Sequence, residues 1–380
     1  MGRTRTKTKK TVPVVSNVTD SASKSTPTIP ALIEKAQELI VQCDYGLAHM
    51  FMKRILDREP AHAEAREMMG VILLETGEID DARSMFLSLV PPSPQAPSPP
   101  PSSAYLYLAQ LTDDDPQAAL SYFQHAIDLL SVQVKGKGRA SDMQSDETDA
   151  KSNIVRAYIG MVEIWMDPSY DLCFEPEAEK TCENFLNLAL QTDPGNPEAL
   201  QTLASVRMSQ NRPDDAKEYL SQSWSAWKDI EDPSDPRLPP LATRLSVVRL
   251  FLELSLFSPA LLVLHGIMAS DDQDVEAWYL EGWCFFLMAE EAKDREGGKL
   301  DELGWEELAR DALDCLETCQ MLFTNQDHPD TPLLEHAKEL ASKLRELGIT
   351  PSPIDDEEEG EEGWEDGDAS DEDEGDVDME

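Results

Sequence analysis

The sequence predicts an all-α chain folded as an α-solenoid, a stack of paired helices, and three observations carry that prediction. Residues 63–94 read as one helical hairpin. The same spacing returns along the chain at a period of about 34 residues. Strand-type alternation of apolar and polar residues is not visible at useful length anywhere in the 380 residues.

In that hairpin Met69, Gly70 and Leu73 stand where a tetratricopeptide repeat places its L-G-x-x-Y. Gly77 falls in the turn, Ala82-x-x-x-Phe86 is the second-helix signature, and Pro94 takes the closing-proline slot. Small residues at Gly70 and Ala82 let the two helices approach closely, while Phe86 and Leu89 wedge under the next hairpin. One such unit cannot bury its apolar face alone, so finding it implies more of them.

The rest of the chain supplies them in order. Residues 1–28 are rich in Thr, Ser, Lys and Pro and are expected to be disordered. The basic run from Arg3 to Lys10 is either a nuclear import signal or a solvated tail. The first repeat begins near Pro30, which opens a helix without losing an amide partner. Its slots hold Ala36, Leu39, Ala48, Met52, Ile55 and Pro60. After the second repeat, the proline-dense residues 91–103 forbid helix and read as a stiff extended linker rather than an SH3 ligand. Ala119-x-x-x-Phe123-x-x-Ala126 marks the third repeat, followed by a polar insertion at 134–152. The KGKGR at residues 135–139 lacks the pattern and the preceding strand of a phosphate loop.

An insertion at 166–176 lengthens the turn of the fourth repeat, which continues with Cys182, Leu186, Ala189 and Pro194. The fifth has Leu203, Ala204, Ala216 and Leu220, and the sixth Val248, Phe251, Pro259, Ala260, Leu264 and Ile267. The seventh opens with Trp278-x-x-x-Gly282-x-x-Phe285, with Glu281 where Leu is usual, and closes with Ala312-x-x-x-Leu316-x-x-Cys319 around an insertion at 289–304. An amphipathic helix over 331–347, with a Thr cap and a stop at Gly348, closes the array. The reading is therefore a tetratricopeptide-repeat superhelix of about seven repeats over 29–348, between a basic segment at 1–28 and a disordered acidic tail at 349–380.

Charge narrows the function. The net charge is −43. Residues 355–380 hold seventeen acidic side chains and no Lys or Arg, whereas residues 1–30 carry +5, which leaves −31 on the middle. Such an array repels DNA and RNA and attracts a basic protein, with steering that weakens as salt rises. Cys43, Cys173, Cys182, Cys284, Cys315 and Cys319 lack disulfide-framework spacing and fit reduced thiols of cytosol or nucleus. The N-terminus has no apolar h-region. The apolar run at 245–268 is broken by Arg249, Glu253 and Pro259 and fits the sixth hairpin, so no membrane span is expected. The expected locations are cytoplasm and nucleus.

No catalytic constellation survives weighing. The six histidines are scattered, without HExxH or zinc spacing. Cys315 and Cys319 offer half a metal site at most, and core packing explains them better. Asp80-Asp81 and Asp214-Asp215 fall at helix starts, where free amides and the dipole account for them. No cofactor or metal is expected, and the chain reads as a binding module, not an enzyme.

The first helices of such arrays line the concave groove. Its slots here are Glu64, Glu67, Val71, Leu74 and Glu75 in repeat two, and Glu198, Gln201 and Met208 in repeat five. Repeat six adds Leu245, Arg249 and Glu253, and repeat seven Glu276, Tyr279 and Trp283. Carboxylates mixed with aromatic and aliphatic surface suit a basic extended peptide, whose cationic heads pair while its stems lie on the rings. A histone or chromatin chaperone fits the same charge pattern. A co-chaperone clamp for a heat-shock protein fits less well, because it needs Lys and Asn in the groove. Ser370, followed by Asp371, Glu372 and Asp373, is a candidate phosphosite.

With the order of these segments in view, the chain resembles the fungal assembly chaperones dedicated to the fourth protein of the large ribosomal subunit. The likeness rests on the RTRTKTKK start, ALIEKAQELIVQCDYGLAHMFMKRIL in the first repeat and GVILLETGEIDDARSMFLSLV in the second. It continues through EAWYLEGWCFFL to the acidic EEEGEEGWEDGDASDEDEGD, nearly the full length. The resemblance implies a very basic ribosomal protein as client, held one to one by a long internal loop and taken to nuclear pre-ribosomes. It implies no direct contact with nucleic acid or membrane.

Overall fold

A computed structural model describes residues 27–136, 144–300 and 302–352. The basic run from Arg3, part of the KGKGR sequence, Trp364, Ser370 and the acidic residues 355–380 lie outside the described residues. The chain is all-α, of solenoid type, and divides into two compact units, with the division falling after Pro194.

The first unit holds α1 (Ile29–Val41), α2 (Tyr45–Leu56), α3 (Ala63–Glu75), α4 (Ile79–Leu87), α5 (Ser102–Gln110), α6 (Pro116–Gly136), α7 (Gln144–Met166) and α8 (Ala178–Thr192). Its helices start where short polar side chains or proline meet the free amides of the first turn. Pro30 lies in the first turn of α1, Asp44 accepts from the Leu47 amide at 3.1 Å, and His62 Nδ1 accepts from Ala65 at 3.2 Å. Gly77, at φ 81°, turns α3 into α4. The apolar slots read from the sequence, from Ala36 through Ala189, are buried, while Pro60, Gly77 and Pro94 at the turns and ends of the repeats are exposed.

Close approach inside the hairpin has a measurable cause. A Cβ built on Gly70 would lie 2.7 Å from the Phe86 ring. Phe86 cannot retreat, because it is fully buried and stacks on Tyr107 of α5 at 4.7 Å. A second such contact, unmarked by the repeat phase, sits between Gly160 of α7 and Phe123 of α6, at 2.6 Å.

The proline-dense connection after α4 is held by Arg66 of α3, which is 3% exposed. Its guanidinium donates to the carbonyls of Ser88 (3.0 Å), Ala61 (3.1 Å) and Gln95 (2.9 Å) and to Ser88 Oγ (3.2 Å). The two terminal nitrogens of this buried cation are thus paired with neutral oxygens, which lessens the penalty of isolation, while its Nε has no partner among the described residues. The insertion at 134–152 is helical at both ends, where α6 and α7 extend into it.

The second unit holds α9 (Pro197–Ser209), α10 (Pro213–Ser225), α11 (Leu241–Glu253), α12 (Phe257–Met268), α13 (Val275–Asp294), α14 (Trp305–Asn325) and α15 (Thr331–Glu346). Asn196 and Asp274 cap α9 and α13. The cap of α15 is Asp330, accepting from Leu333 at 3.1 Å, while Thr331 is the first helical residue; the charged carboxylate is the stronger acceptor for the free amides. Gly348, at φ 86°, ends α15. Between α13 and α14 one feature departs from pure helix: β1 (Lys299–Leu300) pairs antiparallel with β2 (Leu303–Gly304). A Cβ on Gly282 would lie 2.8 Å from Leu316, repeating the close approach of Gly70.

Glu281, in the Leu slot of the seventh repeat, is buried between α12 and α14. Its carboxylate lies 3.2 Å from His265 Nε2 and accepts from Cys315 Sγ at 3.6 Å. Burial pushes its pKa up, against the pull of His265, with Asp311 adding to the rise.

Two outcomes follow from these contacts. Gly70→Ala gains about 1 kcal/mol of helix propensity but forces a methyl into a fixed ring, at about 1–3 kcal/mol. Chemical denaturation of the first unit should therefore show a net loss, and Gly70→Ala with Phe86→Leu should recover part of it. At Glu281 the protonated form is the one the fold favours, so its contribution is complete below the free carboxyl value and is lost as pH rises through the raised one. Glu281→Gln, which cannot ionise, should match the parent near pH 4 and become the more stable protein as pH rises. The gap should widen by about 1.4 kcal/mol for each pH unit of the raised interval. Denaturation midpoints measured from pH 4 to pH 8 read this directly.

Candidate functional site

In the first unit the outward face of α3 gathers the predicted residues. Glu64, Glu67, Val71, Leu74 and Glu75 recur at three- and four-residue steps and so share one side of the helix. Glu64 and Glu75 are exposed, while Glu67, Val71 and Leu74 are half-buried. Neighbouring elements bring hydroxyls to these acids. Ser103 at the start of α5 donates to Glu67, and the Tyr45 hydroxyl approaches Glu75 at 3.5 Å. Tyr107 of α5 completes the face: burial raises its pKa first, and the nearby Glu67 and Glu75 carboxylates raise it further. The sequence reading missed Tyr107. Its i, i+4 spacing from Ser103 was the available signal, but the first helix of the third repeat carries no L-G pair to set its phase.

In the second unit the predicted residues fare unevenly. Glu198, Gln201 and Met208 lie half-buried along α9. Leu245 is 4% exposed and belongs to the core, so it presents nothing to a ligand; this corrects its assignment to the groove. The reason is local: α11 buries Leu245, Val247, Val248, Leu250, Phe251 and Leu252 together, so its core stripe is wider than a first helix usually needs. Arg249 and Glu253 are exposed.

Arg249 forms an ion pair with Glu276 of α13, which removes one carboxylate from the free acidic surface. Burial still raises the Glu276 pKa more than Arg249 lowers it. One helical turn further on, Tyr279 and Trp283 sit 6.0 Å apart, centroid to centroid. His336 of α15 joins them, 2.6 Å from the Tyr279 hydroxyl and edge-on to both rings at 5.8 and 5.6 Å. Burial pushes the Tyr279 hydroxyl up to about 12, so it stays protonated.

The two faces therefore differ. The α3 face is a set of three carboxylates flanked by tyrosines, while the α13–α15 face is an aromatic wall with one internal ion pair. The Tyr279 hydroxyl lies beside a ring nitrogen of His336, but its pKa is raised by burial and it is a poor nucleophile. Cys315 and Cys319 are buried, and burial pushes the Cys319 thiol up to about 12, far from a reactive thiolate. Among the described residues no cluster of three or more His, Cys, Asp or Glu is placed to hold a metal, and no helix is long and apolar enough to cross a membrane.

Comparison with known proteins bears on what such faces hold. The tetratricopeptide-repeat family model matches residues 177–226. A protein of Emericella nidulans described as a probable assembly chaperone of rpl4 is 34% identical over 88% of this chain and 87% of its own length. A Schizosaccharomyces pombe protein with the same description is 31% identical over 87% of this chain and 94% of its own. The solved structure of an assembly chaperone of RpL4 (Acl4, residues 1–338) superposes with a TM-score of 0.61 at 27% identity, covering 71% of this chain and all of that one.

Proposed function

This chain belongs to the family of assembly chaperones of rpl4, and from that membership we propose that it is a dedicated chaperone which binds and shields its own newly made, highly basic large-subunit ribosomal protein. Family membership carries the function. The α3 face, with Glu64, Glu67 and Glu75 around apolar Val71 and Leu74, carries the mechanism. Lysine and arginine heads of the client pair with the carboxylates, and their aliphatic stems lie over the apolar strip and Tyr107.

An orphan basic segment would otherwise adhere to RNA. A highly acidic array competes by presenting a substitute polyanion, then yields to rRNA, whose charge density is greater. One chain holds one client by its long internal loop and accompanies it from cytoplasm to nuclear pre-ribosomes, touching neither nucleic acid nor membrane. The role is binding and release rather than catalysis. The relatives favour neither a histone client nor a heat-shock clamp, and the carboxylates of the α3 face argue against the clamp on charge alone.

Two measurements test this. The triple variant Glu64→Lys, Glu67→Lys, Glu75→Lys should bind the ribosomal protein at least about tenfold more weakly in calorimetry, because three attractive pairs of a few tenths to 1 kcal/mol become repulsive. Its circular dichroism should match the parent; unchanged affinity would clear the α3 face of any role. Parent affinity should fall by about tenfold or more between 50 and 200 mM salt, as expected where screening shortens the reach of many surface charges. Salt-insensitive binding would refute the electrostatic mechanism.

A further inference from the structure

The second unit carries a cavity of about 610 Å3 on the side formed by α10, α12 and the connection from α10 to α11. Two tryptophans wall it: Trp227 is buried, and Trp224 stands edge-on to Phe251 at 5.6 Å. Leu262 of α12 lines it while remaining 61% exposed. Two cations reach in. Lys228 Nζ lies 5.8 Å over the Trp224 ring, and Arg244 of α11 is partly buried in the lining.

Arg244 is the unusual member. Its Nε is shielded and has no hydrogen-bond partner among the described residues. Burial outweighs the opposing charge of Asp274, the cap of α13. A guanidinium in that position is incomplete without an acceptor, since leaving it unmatched costs about 1–3 kcal/mol. Arg66 shares the unpartnered Nε, but its two terminal nitrogens donate to three carbonyls and a hydroxyl. The cavity thus suits a carboxylate placed beside an aromatic or aliphatic group. Asp229 and Glu231 also line it, so attraction is local to Arg244 and Lys228, not diffuse.

The chain itself contains such a ligand. Residues 361–368 read EEGWEDGD, a tryptophan among acids, inside a stretch of residues 355–380 without Lys or Arg. Ser352, the last described residue, donates its amide to Asp314 of α14 at 3.0 Å. The twelve residues from there to Trp364 span up to about 40 Å when extended. That exceeds the two helix-packing steps, about 10 Å each, from α14 through α13 to α12. Tethering places the segment at roughly millimolar effective concentration, so even a weak site is filled.

We infer that the cavity between Trp224 and Arg244 is a docking site for the chain's own acidic C-terminal segment, with Trp364 against Trp224 and Leu262 and a neighbouring carboxylate on Arg244. The site is distinct from the α3 and α13–α15 faces and does not depend on the identity of the client.

Peptide-resolved hydrogen exchange of the full chain at low salt tests it. Trp364→Ala should speed exchange of residues 224–231 and 262–270 by about threefold, with α3 unchanged and the circular dichroism of the parent retained. Arg244→Gln should produce the same acceleration in 262–270. Equal exchange in parent and Trp364→Ala overturns the proposal. Protection that persists in Trp364→Ala and grows with protein concentration overturns it too, because the occupant is then a second copy.

Discussion

The structure depends on how closely one helix backbone can approach the bulky side chain of its partner. Gly70 against Phe86, Gly160 against Phe123 and Gly282 against Leu316 show it, and at each a single methyl would sit inside 3 Å. The contact does more than join a pair. Because the backbone of α3 holds Phe86 from one side, the ring's other face is fixed in direction, and Tyr107 of the following pair stacks on it at 4.7 Å. The geometry inside one pair thereby sets the position of the next. A pair without a successor would leave that ring to water, at about 1.5–3 kcal/mol, which is why the repeats are stable only as a stack.

This packing consumes the inward stripe of each helix and leaves the outward positions free of structural duty. They hold the excess acid. Among the described residues the carboxylates other than Glu281 are exposed or half-buried, where water and salt screen pairs beyond about 8–10 Å. The interior treats charge differently. Arg66 is surrounded by carbonyls and a hydroxyl, and Glu281 by an imidazole and a thiol. Neither buried group relies on a strong partner of opposite charge. Each serves position instead: Arg66 pins the proline-dense connection to α3, and Glu281 joins α12 to α14 through α13.

What was legible in the sequence follows from the same division. The repeated small residues and apolar slots, from Ala36 to Cys319, are dictated by close approach inside each pair, so their spacing alone exposes them. Arg66 and Gly160 were not legible, because the first satisfies acceptors that come from connections and the second packs against the previous pair instead of its own. Tyr107 and His336 were missed for a related reason: each belongs to the face only through contact with a helix some thirty to sixty residues away. Leu245 was misplaced because α11 has a core stripe too broad for the groove rule. Extension of α6, α7 and α13 into polar insertions was equally hidden, since a solvated helix end and a polar loop share one composition.

The separation of rigid core from charged surface also explains how a holder can let go. A ligand gripped by one deep pocket would leave slowly, because most binding energy would reside in a few desolvated contacts. The α3 face has no such pocket. Its carboxylates are exposed or half-buried, and each pairing with a lysine or arginine is worth only about 0.2–1 kcal/mol. On the proposed reading, holding by this face requires many pairs at once, and each is exchangeable singly with another anion. A polymer with a phosphate at every residue replaces them in succession, without any single costly step. Strength in aggregate and weakness in detail are what a temporary holder of a basic protein needs, and a surface of unburied acids on a closely packed helical stack provides both.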